Sequence, residues 1–181
     1  MALKSTVFRI GLNVSDMDRG YYAEHSLTVA RHPSENDERM MMRVLAFALF
    51  AADDLRFGRG LSTEDEADLF AESPDGRIRL WIDVGQPDER LIRKAAARAG
   101  RVVVMAYGRT VPIWWEKVKE SLMKLDNLTV WRFEADDSKA LAGLAQRGAS
   151  LQCIVQDGLI WLGDDGNMVQ PVRQVLQSAV D

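Results

Sequence analysis

The chain has 181 residues, 47% of them hydrophobic and 28% charged, and its 23 basic against 27 acidic side chains leave a formal net charge of -4. That length and composition suit one globular domain over 1–181 with a sizeable core, and exclude a disordered chain. Charge of both signs, without a long like-charge block, speaks against tight non-specific nucleic-acid binding, which depends on clustered Lys and Arg, yet leaves room for a small basic patch.

In chain order, residues 5–14 end in strand-like alternation (VFRIGLNV), SDMDRG reads as a turn, and 21–30 reads as the returning strand of a hairpin. Ser34-Glu35-Asn36-Asp37 has the form of a capping box and opens a helix through MMMRVLAFALFAADDL. Its nearly unbroken apolar run predicts a central buried helix. LRFGRGLS is a glycine-rich loop in which Gly58 and Gly60 supply flexibility, and Thr63 with Glu66 makes a second capping box. Strands are expected at 69–72 and 77–84, joined by the SPDGR turn. A helix follows with Pro87 as its first residue, running to Arg98 and closed by Gly100. RVVVMAYG is a short buried strand, a helix runs from after Pro112 to about residue 125, and NLTVWRF is a strand. DDSKALAGLAQR is a helix capped by Gly148, LQCIVQDGLIWLG is a hairpin turning at DG, and DDGNMVQPVRQVLQS reads as a turn and frayed tail. The order ββαββαβαβαββ specifies an α/β or mixed α+β domain.

Cys153 is the one cysteine, so no internal disulfide can form, and its place in LQCIV predicts a buried, inert thiol. The opening residues lack the continuous apolar region of a signal peptide, and no stretch approaches a membrane span. The expected compartment is the cytoplasm.

The chemistry is expected in the carboxylates. Asp68 heads one apolar run, and Asp83 lies inside another, RLWIDV, where an acid is costly without a partner, a metal or a proton. A hairpin would bring the two together. Glu35 and Glu38, three residues apart, share a helix face. Such a set could hold Mg²⁺ or Mn²⁺ through hard oxygen ligands, and the metal could activate water and stabilise charge on a phosphate. The plainer alternative is that Glu35 and Glu38 complement the helix dipole and Asp68 begins a strand at the surface. Gln86, just beyond Asp83, can hold a water but cannot act as a base. Lys94, Lys117 and Lys119 are the lysines that could reach such a site, each alone being also a solvated surface residue. Trp114 and Trp115 could form a stacking platform, with one of them expected to face the core. His25 and His32 lack metal-ligand spacing.

Four strings, ARHPSENDERMMMRVLAFAL, RLWIDVGQPDERLIRKAAARA, VVVMAYG and the WWEK to LDNLTVWRF segment, together resemble the YaeQ family of bacterial proteins nearly end to end. Members of that family are similar in fold to the PD-(D/E)XK nuclease superfamily, a mixed sheet flanked by helices with an acidic site on neighbouring strands. The resemblance implies that the superfamily's first aspartate corresponds to Asp68, with Ala67 where the motif has proline. The second acid corresponds to Asp83, the motif lysine falls on Gly85, and the helix-borne glutamate is Glu38 or Glu35. The N-terminal hairpin is an addition to the superfamily's plan.

Two functions follow as expectations. One is a metal-dependent phosphodiesterase in which Asp68, Asp83 and Glu38 hold Mg²⁺ or Mn²⁺, Gln86 positions the water, and a lysine from another element steadies the phosphate. The other is a non-catalytic module of the same fold that binds nucleic acid or a protein, with Asp83 paired to Arg93, Lys94 or the Lys117 region.

Overall fold

The computed structural model of the chain describes residues 4–59 and 65–181. The apolar helix decides its architecture. In α1 (Asp37–Phe50) every residue from Met40 to Leu49 is buried, and a helix apolar on all sides needs cover on all sides. Two sheets provide it. In chain order the strands are β1 (Thr6–Asp16), β2 (Tyr21–Arg31), β3 (Leu55–Phe57), β4 (Leu69–Glu72), β5 (Ile78–Val84), β6 (Ala99–Tyr107), β7 (Leu128–Phe133), β8 (Ser150–Gln156), β9 (Leu159–Gly163), β10 (Met168–Val169) and β11 (Gln174–Gln177). The remaining helices are α2 (Glu89–Arg98), α3 (Val111–Leu122) and α4 (Ala135–Ala142). The first sheet runs β10-β9-β8-β1-β2 and the second β11-β7-β6-β5-β4-β3. Each mixes parallel and antiparallel pairs, so the fold is mixed α+β.

The main core lies between the sheets. Ile10, Leu12 and Val14 of β1 and Leu151, Cys153 and Val155 of β8 face α1 from one side, and Leu80, Ile82 and Val84 of β5 face it from the other. The opposite face of the second sheet carries Trp81, Val102 and Val104, covered by Ile92 and Ala95 of α2 and by Val111, Trp115 and Val118 of α3. Strand alternation thus gives β5 two buried faces, and Asp83 shares the α2 side with Trp81.

Several expectations change. There are two sheets rather than one, because the opening hairpin pairs through β1 in parallel with β8, some 140 residues on. A segment expected as helix end and loop forms β3, because Asp53 and Asp54 turn the chain and Leu55 then packs inward. The tail expected to fray adds β10 to the first sheet and β11 to the second. α1 is capped by Asn36, whose Oδ1 accepts from the Arg39 N–H at 2.8 Å, instead of by Ser34. Asp88 rather than Pro87 sets the start of α2, accepting from the Arg90 N–H. α2 runs straight into β6, so Gly100 lies in a strand, and α4 ends well before Gly148. Thr63 and Gly60 lie outside the described residues.

Gly58 serves close approach rather than flexibility. Its N–H donates to the Asp68 carbonyl at 2.8 Å, and a Cβ built on it would stand 1.9 Å from the Ala67 carbonyl oxygen. Gly58→Ala must therefore push the Ala67–Asp68 backbone away, at a cost of about 1–3 kcal/mol. Gly11→Ala, where the nearest neighbour would be 3.9 Å off, serves as control. Urea unfolding of the two variants checks this, and equal midpoints would refute the close-approach role.

Candidate functional site

The antiparallel register of β4 and β5 pairs Leu69 with Ile82, so one step outward Asp68 stands opposite Asp83. The Asp68 N–H donates to Asp83 Oδ1 at 3.2 Å, and Trp81 Nε1, two residues back on the same strand face, donates to Asp83 Oδ2 at 2.9 Å. Asp68 in turn accepts from the Val84 N–H at 2.8 Å and from Arg39 Nη2 at 2.7 Å. Both aspartates therefore sit where the sequence predicts, in one neighbourhood, with every carboxylate oxygen held by a donor.

They line a pocket of about 320 Å³ together with Arg39, Gln86, Lys94 and Arg98. It opens at the C-terminal edge of the parallel strands β5 and β6, the edge at which open α/β sheets collect ligands. Burial, reinforced by the charge of Asp68, pushes the Asp83 carboxyl up to about 7, although the Trp81 and Asp68 N–H donors work against the rise. Burial likewise pushes the nearby Tyr107 hydroxyl up to about 12.

The helix-borne acids do not join the pair. Glu35 is buried and accepts from Arg43 at 2.8 and 2.6 Å and from Arg39 at 3.0 Å. Glu38 instead accepts from the Ser138 hydroxyl of α4 at 2.8 Å. Among the described residues no three Asp, Glu, His or Cys side chains converge as a metal-ligand group. The group standing against Asp68 is a guanidinium: Arg39 reaches over the sheet end and bridges Glu35 to Asp68.

The Gln86 amide lines the pocket but is anchored, its Nε2 donating to the Tyr107 carbonyl at 3.2 Å and to Thr110 Oγ1 at 2.9 Å. Lys94 also lines the pocket and pairs with Asp65 at 2.6 Å. Lys117 is exposed on α3 and Lys119 pairs with Glu116. Neither is among the described residues of the pocket wall. Arg93 pairs with Glu89. Trp115 is buried, and Trp114 donates to the Pro87 carbonyl at 3.0 Å, so this pair packs α3. His25 bonds Tyr21 and packs on Phe47, while His32 accepts from the Ser34 N–H ahead of α1. The Cys153 thiol is buried and pushed up to about 12, in keeping with an inert core residue. No helix among the described residues is long and apolar enough to cross a membrane.

Arg39 and Trp81 are the site residues that sequence reasoning missed. The signals were present: Trp81 and Asp83 are two apart in a strand, and Arg39 follows Glu35 by four in a helix.

A family model described as YaeQ protein matches residues 1–172. The chain is similar to the uncharacterized protein YaeQ of Escherichia coli (strain K12), 41% identical over 171 residues that make up 94% of each protein. It is 42% identical over the same length to the uncharacterized protein YaeQ of Salmonella typhi. Among solved structures it resembles the YaeQ protein from Xanthomonas axonopodis pv. citri, with a TM-score of 0.93 and 48% identity over 96% of this chain and 99% of that one. The YaeQ protein from Pseudomonas syringae gives a TM-score of 0.92 at 36% identity over 96% and 97% of the two chains.

Proposed function

The chain belongs to the YaeQ family, and we propose that its Asp68–Asp83 pocket is a divalent-cation site for metal-dependent cleavage of phosphodiester bonds in a nucleic acid. The fold on this reading is of the PD-(D/E)XK nuclease-like kind, with the β1–β2 hairpin added. The observation that carries it is the cross-strand carboxylate pair at a strand edge, where burial, reinforced by the charge of Asp68, holds the Asp83 carboxyl above the usual carboxylate range. Two carboxylates are within what Mg²⁺ takes from a protein, waters and phosphate oxygens completing the octahedron. Each of the four oxygens keeps a lone pair after its hydrogen bond, so the pair fits the ion.

Bound Mg²⁺ or Mn²⁺ would supply an activated water and neutralise charge on the phosphate. The chain's own contribution is orientation and charge. Asp68 and Asp83 would hold the ion, with Trp81 and the Val84 N–H fixing their carboxylate planes. Lys94 would turn from the exposed Asp65 to a phosphate oxygen, in the role left open at Gly85. Gln86 lines the wall where a water would be held. Glu38 would add a third ligand only by leaving Ser138, and a two-carboxylate site does not require it.

The test is a Mn²⁺ titration by calorimetry on wild type, Asp83→Asn and Arg39→Gln, with and without an oligonucleotide. Saturable binding is expected in wild type, lost in Asp83→Asn and strengthened in Arg39→Gln, which removes a competing cation. Folded wild type that takes no Mn²⁺ even with the oligonucleotide present would overturn the proposal, as would metal-dependent cleavage that survives Asp83→Ala.

A second reading rests on Arg39. Its guanidinium already balances Asp68, and the four carboxylate oxygens all have protein donors. This supports a non-catalytic module that binds nucleic acid or a protein and keeps the acids for structure. It requires Arg39→Gln to destabilise the fold without creating Mn²⁺ affinity.

A further inference from the structure

At the other end of α1 lies a cleft of about 520 Å³ between the two sheets, which the proposed function does not use. Along the helix axis its Phe50 is about 17 Å from Arg39. Four arginines line it, Arg19, Arg79, Arg101 and Arg173, against two acids, Asp16 and Asp18. In a chain of net negative charge this is a local excess of the opposite sign.

Most of these charges are committed. Arg19 donates to Asp16 Oδ2 at 2.7 Å and to the Ala51 carbonyl at 3.1 Å, and Arg79 holds both oxygens of Asp54 at 2.9 and 2.8 Å. Asp18 accepts the N–H groups of Asp157 and Gly158. Arg101 and Arg173 differ from the rest. Neither has a hydrogen-bond or ion-pair partner among the described residues, yet both are positioned by aromatic rings. The Phe50 and Trp131 rings stack at 5.2 Å, with the Arg101 guanidinium 5.7 Å from the Phe50 centroid and that of Arg173 4.5 Å from the Trp131 centroid.

A guanidinium held against a ring keeps its in-plane N–H donors free, and those donors match the oxygens of phosphate in pairs. The aromatic stack therefore restrains two uncommitted forks beside one cavity, which lowers the ordering cost of an incoming anion. We propose that the inter-sheet cleft binds a phosphate monoester or pyrophosphate group, with Arg101 and Arg173 as its ligands and Phe50–Trp131 as the platform. The cavity has the size of small-ligand pockets and is too small for a nucleic-acid duplex. The group can belong to a free organic phosphate or to the terminal phosphate of a strand. The site does not depend on the carboxylate pocket.

The experiment is calorimetric titration of the full chain with inorganic pyrophosphate, on wild type and on Arg101→Gln, Arg173→Gln, Arg9→Gln and Asp83→Asn. Arg9 is exposed on the outer face of the first sheet, so its variant controls for net charge. Saturable binding to wild type is expected, weakened at least tenfold by either cleft variant and within twofold of wild type in the other two. Circular dichroism verifies folding, and should Arg173→Gln unfold, the exposed Arg101 still decides the matter. A 5′-phosphorylated oligonucleotide that binds tighter than its unphosphorylated twin, and competes with pyrophosphate, assigns a strand end. Pyrophosphate binding without that preference assigns a free organic phosphate. No saturable binding to wild type, or equal weakening by Arg9→Gln and Arg101→Gln, overturns the proposal. Loss of Mn²⁺ binding in Asp83→Asn with pyrophosphate binding intact separates this site from the carboxylate pocket.

Discussion

Replacing Arg43 by methionine is expected to cost the fold about 3–5 kcal/mol, the range for removing one partner of a buried ion pair. Arg43 is 1% exposed, in the middle of the apolar run of α1. Its Nε and Nη2 grip both oxygens of Glu35, and Nη2 also donates to the Ala30 carbonyl of β2 at 2.9 Å. Arg43→Met leaves that carbonyl without this donor and leaves Glu35, also buried, with Arg39 as its remaining cation partner. The charge of Glu35, left to share Arg39 with Asp68, dominates the cost, ahead of the hydrogen bonds removed with the guanidinium. The double variant Arg43→Met with Glu35→Met should therefore recover most of the loss, because well-packed apolar replacements of a buried pair are often neutral. Urea unfolding of the three proteins at neutral pH measures both effects. A single variant within about 1 kcal/mol of wild type would remove this ion pair from the account of the fold.

The same residue shows where the sequence is readable and where it is not. An acid in an apolar strand, Asp83, signals a site because burial makes it costly, and the structure places Asp68 opposite it as the SPDGR turn implies. Arg43 in MMMRVLAF sends the same signal on a helix, and the same cost argument applied there predicts a buried acid nearby. Glu35 and Glu38 share a helix face by spacing, but spacing does not say which neighbour each will meet. One turns to Arg43 and the other to Ser138, some 100 residues away. Local rules fail for the sheets in the same way. Hairpins follow from turns and alternation, whereas the β1–β8 pairing joins segments with no local signal, and it is this pairing that completes the first sheet over α1. The strands β10 and β11 are edge pieces of two and four residues, too short for alternation to separate them from a frayed tail.

Asp83 is expected to make the fold less stable as pH rises from about 4 to about 7. In the unfolded chain an aspartate ionises near 3.9, whereas burial and the charge of Asp68 hold Asp83 protonated in the fold up to about 7. Between these values the folded protein keeps a proton that the unfolded chain has released, so stability must fall with increasing pH. The contribution is complete below the unfolded value and gone above the folded one. At about 1.4 kcal/mol per pH unit, its upper limit is about 4 kcal/mol. Asp83→Asn removes the titration and adds a fixed cost of about 1–3 kcal/mol, because the amide cannot accept from both Trp81 and the Asp68 N–H. The variant should thus be less stable than wild type at pH 4.5, and the deficit should shrink or reverse by pH 7.5. Asp68→Asn should flatten the profile as well, since it takes away the charge that helps to keep Asp83 protonated. Urea unfolding of wild type and both variants across that range decides the matter. Parallel curves for wild type and Asp83→Asn would mean that Asp83 ionises in the fold much as it does in the unfolded chain. The pair would then lack the burial and like-charge repulsion on which the divalent-cation reading rests.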